Sequence, residues 1–310
     1  MYSYSSHQFN IFTLENKTVK QKIFSNPITR IILGLFVCVG VFIIGQNIVS
    51  NILSLTALDK DFRNLFKGII ASVLVISCYK IFYKFLERRE IIEVSLKGIC
   101  KNLTWGILIG ATLQCLTILV IYLCNGFKIV SINPVSFIII PLTVAFTVAI
   151  FEEILIRGIL FRIMEEKLGS YITLTISTIV FGGLHFFNPN GSLISATCVA
   201  VEGGLLLGAA YIYARNVWLP IAIHFAWNFI QSGILGAITS GNEKTNSLLT
   251  TLITGSKIIT GGEFGPEGTI QATIFCLAAT LIFIYLNKKQ NKLIRPFWAK
   301  KRCRNIIDYK

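Results

Sequence analysis

Residues 135–162 read VSFIIIPLTVAFTVAIFEEILIRGILFR. The run is longer than the roughly 20 mostly apolar residues that cross the hydrocarbon of a bilayer. Inside it sit two adjacent glutamates, Glu152 and Glu153, and Arg157. Charged side chains are costly in hydrocarbon, so where they occur in a span they face a bundle interior or a functional cavity. Reading this stretch as a membrane helix decides the fold class.

Glu153 and Arg157 are four residues apart, which puts them on one helical face with the acid on the N-terminal side. The spacing predicts an ion pair that lowers the cost of both charges. Glu152 points about 100° away from Glu153 and is the carboxylate left free. A desolvated carboxylate has a raised proton affinity, which suits a general base near neutral pH. The alternative reading is a purely structural charge network.

The rest of the chain agrees with a membrane protein. Of 310 residues, 54% are hydrophobic and only 14% charged, against about 25% charged in a soluble domain; the mean hydropathy is +0.68. The expected class is all-α, a polytopic bundle of about eight spans, near 31–53, 66–86, 102–124, 135–162, 171–188, 193–214, 217–236 and 268–287. Long unbroken apolar runs exclude a barrel of alternating strands. The first 30 residues are polar, so the first apolar segment is expected to act as an uncleaved signal anchor.

The net charge of +14 does not indicate nucleic acid, because no basic and aromatic residues interleave as on such a surface. Lys17, Lys20, Lys22, Arg30, Arg88, Arg89, Lys97, Lys101, Arg162, Lys167, Arg215 and the tail after Lys288 fall on one side of the expected bundle. Lys60, Arg63, Lys67, Lys128, Lys244 and Lys257 fall on the other. The positive-inside rule then predicts an integral, multi-pass protein with both termini cytoplasmic. The eight cysteines form no C-x-x-C pair and read as small packing residues. Two small-x3-small patterns, Gly106/Gly110 and Gly204/Gly208, read as close helix packing.

Two further patterns follow. Phe181-x3-His185 closes the fifth expected span, and His224-x3-Asn228 lies in the seventh. An imidazole and an amide on one face can reach a bound water, a metal or a developing oxyanion; interhelical hydrogen bonding is the plainer reading. Only His7, in the polar N-terminal tail, lies outside these patterns. Two imidazoles and a carboxylate also make a common catalytic zinc set with one position open, here with each ligand on a different helix as in bundle-core sites. Glu202 is a further intramembrane acid, expected to line the cavity or to meet a base. One tension stands: the expected topology puts His185 near the outer end of its span and His224 nearer the inner end of another. A shared site needs shifted boundaries, a tilt or a broken helix.

At these residues the chain resembles the CPBP family of intramembrane proteases, the group of type II CAAX prenyl endopeptidases and bacteriocin-processing or immunity proteins also called Abi. The family pattern E-E-x3-R, F-x3-H, H-x3-N or H-x3-D is present in order, within roughly 135–235. The resemblance implies an intramembrane (metallo)endopeptidase of eight helices with its site within the bilayer. It carries Glu152 over as the water-activating residue, with His185, His224 and Asn228 around the scissile carbonyl and Glu153 and Arg157 in support. In its metal version His185 and His224 hold zinc and Glu152 is the base. In a metal-free version Glu152 and one histidine activate water, and Asn228 and the other histidine stabilise the oxyanion.

The expected organisation is a polar tail (1–30), N-terminal spans (31–134), the catalytic core (135–235), and a long loop with the last span and a basic tail (236–310). The expected partners are the lipid bilayer and a peptide or protein substrate at the membrane: a prenylated CAAX tail, a leader peptide or a signalling peptide, approaching from the membrane or cytoplasmic side. The rival readings are a non-catalytic scaffold or bacteriocin-immunity protein of the same family, and a transporter using the buried groups as a proton relay.

Overall fold

The computed structural model describes residues 24–299. The expected N-terminal tail with His7, Lys17, Lys20 and Lys22, and the end of the basic tail, lie outside the described residues apart from the tail's last few positions. The described chain is mostly helical. Helix α1 (Pro27–Ser54) starts on Pro27, with Asn26 accepting the Ile28 N–H at 2.9 Å as its cap; both residues are favoured at a helix start. Helices α2 (Lys60–Glu87) and α3 (Ile99–Leu123) follow. A short 3₁₀ turn (Val135–Ile138) then leads into α4 (Ile139–Glu153), a π segment (Ile154–Phe161) and α5 (Arg162–His185). Next come α6 (Leu193–Val199), a second π segment (Ala200–Leu206) and α7 (Leu207–Ala214). The bundle closes with α8 (Trp218–Asn228), a third π segment (Phe229–Ile234), the short α9 (Lys257–Thr260) and α10 (Ile270–Lys289).

Among the described residues six helical stretches are long and apolar enough to cross a membrane, not the eight expected. The fourth and fifth expected spans are joined in one 51-residue stretch, Val135–His185. Its only break is Gly169, at φ 74° and ψ 170°. One glycine in that conformation turns the chain, so no loop composition marks the boundary. A Cβ at Gly169 would also lie 2.7 Å from the carbonyl oxygen of Ile294. The seventh expected span is the 11-residue α8 plus a six-residue π segment, at the lower limit of what a crossing helix needs.

The two faces of the bundle differ in chemistry. On one, α1, α2 and α5 are tied by arginine–glutamate contacts. Glu87 receives Arg30 (2.5 Å), Arg89 (2.6 Å) and Arg162 (2.9 Å). Arg215 pairs with Glu165 at 2.6 Å, and the Ser170 N–H reaches the Ile294 carbonyl at 2.9 Å. On the other face an antiparallel ribbon, absent from the sequence reading, pairs β1 (Phe127–Ile132) with β2 (Leu249–Ile253). Loops join it there: Leu248 N–H bonds Gly233 O, and the Asn188 and Asn190 amides bond Ser240 O and Gly241 O.

Gly106 and Gly110 of α3 let α8 approach closely. A Cβ at Gly106 would lie 2.4 Å from the Ala222 Cβ, and one at Gly110 would lie 2.3 Å from the Ile223 carbonyl oxygen. That contact sets the depth of α8, and with it His224.

Candidate active site

The Glu153–Arg157 pair expected from the i, i+4 spacing forms at 2.7 Å, with both side chains fully buried. Arg157 is held further by its other terminal nitrogen, which donates to Gly203 O and, at 3.3 Å, to Gly204 O. Its guanidinium carbon lies 4.9 Å from the centroid of the Phe181 ring. Thus α4, the second π segment and α5 meet on one cation.

The same Glu153 oxygen that receives Arg157 also receives His224 Nδ1, at 3.1 Å. A carboxylate only accepts, so Nδ1 carries the proton and Nε2 of the neutral ring is left as an acceptor. His185 repeats the arrangement. Its Nδ1 donates to the Phe181 carbonyl at 2.8 Å, the i, i+4 partner, and again Nε2 is left over. The Phe181 ring lies 4.7 Å from the His185 ring centroid and 6.2 Å from that of His224. Phe181 is therefore the wall shared by Arg157 and both imidazoles.

His185, His224 and Asn228 line one cavity, so the two histidines that linear topology separated do share a site. The helices around it are broken. Glu153 ends α4 where the first π segment begins, Asn228 ends α8 where the third begins, and Glu202 lies inside the second. Wide turns of this kind occur often at functional sites and redirect side chains that α periodicity would send elsewhere. The cavity measures about 40 Å³, room for roughly three waters.

Glu152 is not among the residues lining that cavity. It is partly buried, and its Oε2 is buried without a hydrogen-bond partner. Its charge lies within electrostatic reach of His224 and Arg157. The sequence reading gave Glu153 a supporting place and Glu152 the free one, and in the structure Glu153 is the carboxylate that touches an imidazole.

Three polar cavity residues have no catalytic place in the sequence patterns: Glu202, Ser240 and Glu267. Glu267 accepts the Ser240 backbone N–H. Burial pushes its carboxyl above the usual carboxylate range, against the pull of that N–H and of His185 and His224. The signal available was an acid in the Gly- and Pro-rich run Gly261–Gly268, directly before a span.

A catalytic zinc takes three protein ligands. Among the described residues no three His, Cys, Asp or Glu side chains are grouped so as to hold a metal ion. The residues as placed do not fit that group.

The class defined by this fold and site is a multi-helix membrane protein with a polar, water-sized chamber in its core. Residues 134–230 match the family model described as Type II CAAX prenyl endopeptidase Rce1-like. The chain therefore carries an Rce1-like type II CAAX prenyl endopeptidase (CPBP) family domain over those residues, about a third of its length. No curated protein and no solved structure matches the chain.

Proposed function

We propose that the protein is an intramembrane endopeptidase that hydrolyses a peptide bond of a membrane-associated peptide with a glutamate-activated water. The observation that carries this reading is the convergence of His185, His224 and Asn228 on one chamber of water dimensions inside the family domain. Glu152 acts as the general base once its side chain turns toward the chamber, which it does not line in its present rotamer; its unsatisfied Oε2 supports this. A buried carboxylate oxygen with no donor gains by taking a proton from water. Glu153 and Arg157 hold His224 and Phe181 in place. The Nε2 atoms of His185 and His224 accept or relay protons, and the Asn228 amide donates to the oxyanion, a contribution of about 3 kcal/mol in comparable sites. The catalytic core spans 135–235, and the region 236–310 completes the chamber through Ser240 and Glu267.

The chamber's loop side lies on the ribbon face, across the bundle from the arginine face. With both termini cytoplasmic, the peptide reaches it laterally or from the non-cytoplasmic side. Peptide added outside sealed right-side-out vesicles is then cut; cleavage only after permeabilisation would reverse the orientation.

The central test is Glu152→Gln, which removes the charge and keeps the shape. Comparative peptidomics of membranes carrying wild type or this variant should show precursor peptides accumulating, with turnover down by about 10²–10⁴-fold. Because Glu152 makes no hydrogen bond that would be lost, the variant should melt within about 1 kcal/mol of wild type. Biological activity that survives Glu152→Gln at normal expression would favour the scaffold or immunity reading instead.

A further inference from the structure

The buried acids elsewhere in the protein have cations. Glu93, Glu153 and Glu165 each touch an arginine. Glu202 and Glu267 make no ion pair among the described residues, although they are only 7% and 4% exposed. Both line the chamber that holds the imidazoles. Glu202 Oε1 accepts from the Thr273 hydroxyl at 3.1 Å, while its Oε2 is buried with no partner. Glu267 has the Ser240 N–H. Two acids without a cation in one small chamber are costly as carboxylates, by desolvation and by mutual repulsion. A cation placed between them relieves both costs.

The acceptors select the cation. The chamber, with room for roughly three waters, admits a compact cationic group. A primary ammonium is compact and offers three donors; a guanidinium is a broad planar fork with five. Glu202, Glu267, Asn228 and Ser240 all line the chamber, and their side-chain oxygens are the acceptors available to three donors. Neither Glu202 nor Glu267 has a chemical role in the proposed hydrolysis, in which Glu267 only helps to close the chamber.

We propose that Glu202 and Glu267 form a subsite that receives a primary ammonium group of the peptide substrate beside the scissile bond. The subsite rests on the peptidase reading for its place in catalysis. The ammonium belongs either to a lysine side chain or to the amino terminus of the peptide.

Two measurements on the purified full chain test this. In the first, methylammonium chloride is titrated into thermal melts, with tetramethylammonium chloride at equal ionic strength as the control. Wild type should be stabilised by methylammonium alone, and both E202Q and E267Q should lose the shift. In the second, quenched fluorescent peptides differ by lysine or norleucine at each position flanking the cut, with free or acetylated amino termini. Wild type should favour the ammonium-bearing peptide by about 10–100-fold in kcat/KM, the range for a hydrogen bond to a charged group. Each variant should bring that ratio close to one. Loss of the preference on acetylation assigns the amino terminus; loss only with norleucine assigns lysine. No methylammonium shift together with equal rates for all peptides overturns the subsite and leaves Glu202 and Glu267 as a proton-sharing contact. If no peptide is cut but the methylammonium shift persists in wild type and vanishes in both variants, the peptidase reading fails and the cation site stands.

Discussion

Replacing Arg157 by methionine should be among the most damaging substitutions in the bundle that leave the backbone unstrained. The guanidinium is fully buried and is held by Glu153 at 2.7 Å, by two carbonyls of the Gly203–Gly204 turn and by the Phe181 face. Methionine fills much of the volume but strands Glu153, which keeps only the 3.1 Å contact from His224. Breaking a buried pair by removing one partner costs about 3–5 kcal/mol. That corresponds to about two to four powers of ten in the folded-to-unfolded ratio. The measurement is reversible unfolding of purified protein in mixed micelles. A second substitution sharpens it: Glu153→Gln in the Arg157→Met background removes the stranded charge and should return about 1–3 kcal/mol of the loss. The reasoning fails if Arg157→Met unfolds within about 1 kcal/mol of wild type, or if the second change adds a full loss of its own.

Gly110→Ala should cost about 1–3 kcal/mol, because the new methyl would lie 2.3 Å from the Ile223 carbonyl oxygen and must push α3 and α8 apart. Cleavage should fall with it, since Ile223 adjoins His224; Gly40→Ala, whose methyl meets nothing within 4 Å, is the control, and equal behaviour of the two would refute the packing argument. Glu267 gives a pH signature. Burial raises its native pKa above the unfolded value of about 4.3, so the folded protein binds the proton more tightly than the unfolded chain. Its stabilising effect is complete below the unfolded value and is lost as pH rises through the raised native one, with Glu202, His185 and His224 the titratable groups facing it. Melts of wild type minus Glu267→Gln should therefore decline with rising pH above about 4.3; a difference that is flat or rising would contradict the buried, unpaired state.

The parts of this site that could be read in the sequence are those made by one helix. Glu153 and Arg157 are one turn apart, so their pairing needed only the helical period. Phe181 and His185 likewise meet through a single i, i+4 bond. The His224–Glu153 contact joins residues 71 apart, and no local pattern reports it. The choice between the two glutamates was legible only as geometry along one helix, so it could assign the ion pair but not see the imidazole arriving from α8. Glu267 was hidden for a different reason: it lies outside any apolar run, and only the folding of its loop over the chamber gives it burial. The count of spans failed where one glycine, Gly169, does the work of a loop, and where α8 with its π segment is shorter than its apolar sequence suggested.

The three wide turns have a consequence for reading related chains. Each accommodates more backbone between its hydrogen bonds than an α turn does, and one extra residue rotates everything downstream by about 100° around the helix axis. Deleting a single residue from the turn at Ala200–Leu206 would leave every chemical group present, yet swing the residues beyond it onto another side of the helix. An aligned set of polar letters is thus not enough to infer a working centre; the number of residues between anchors acts as a phase setting, and a chain one residue shorter there would aim the same groups at lipid.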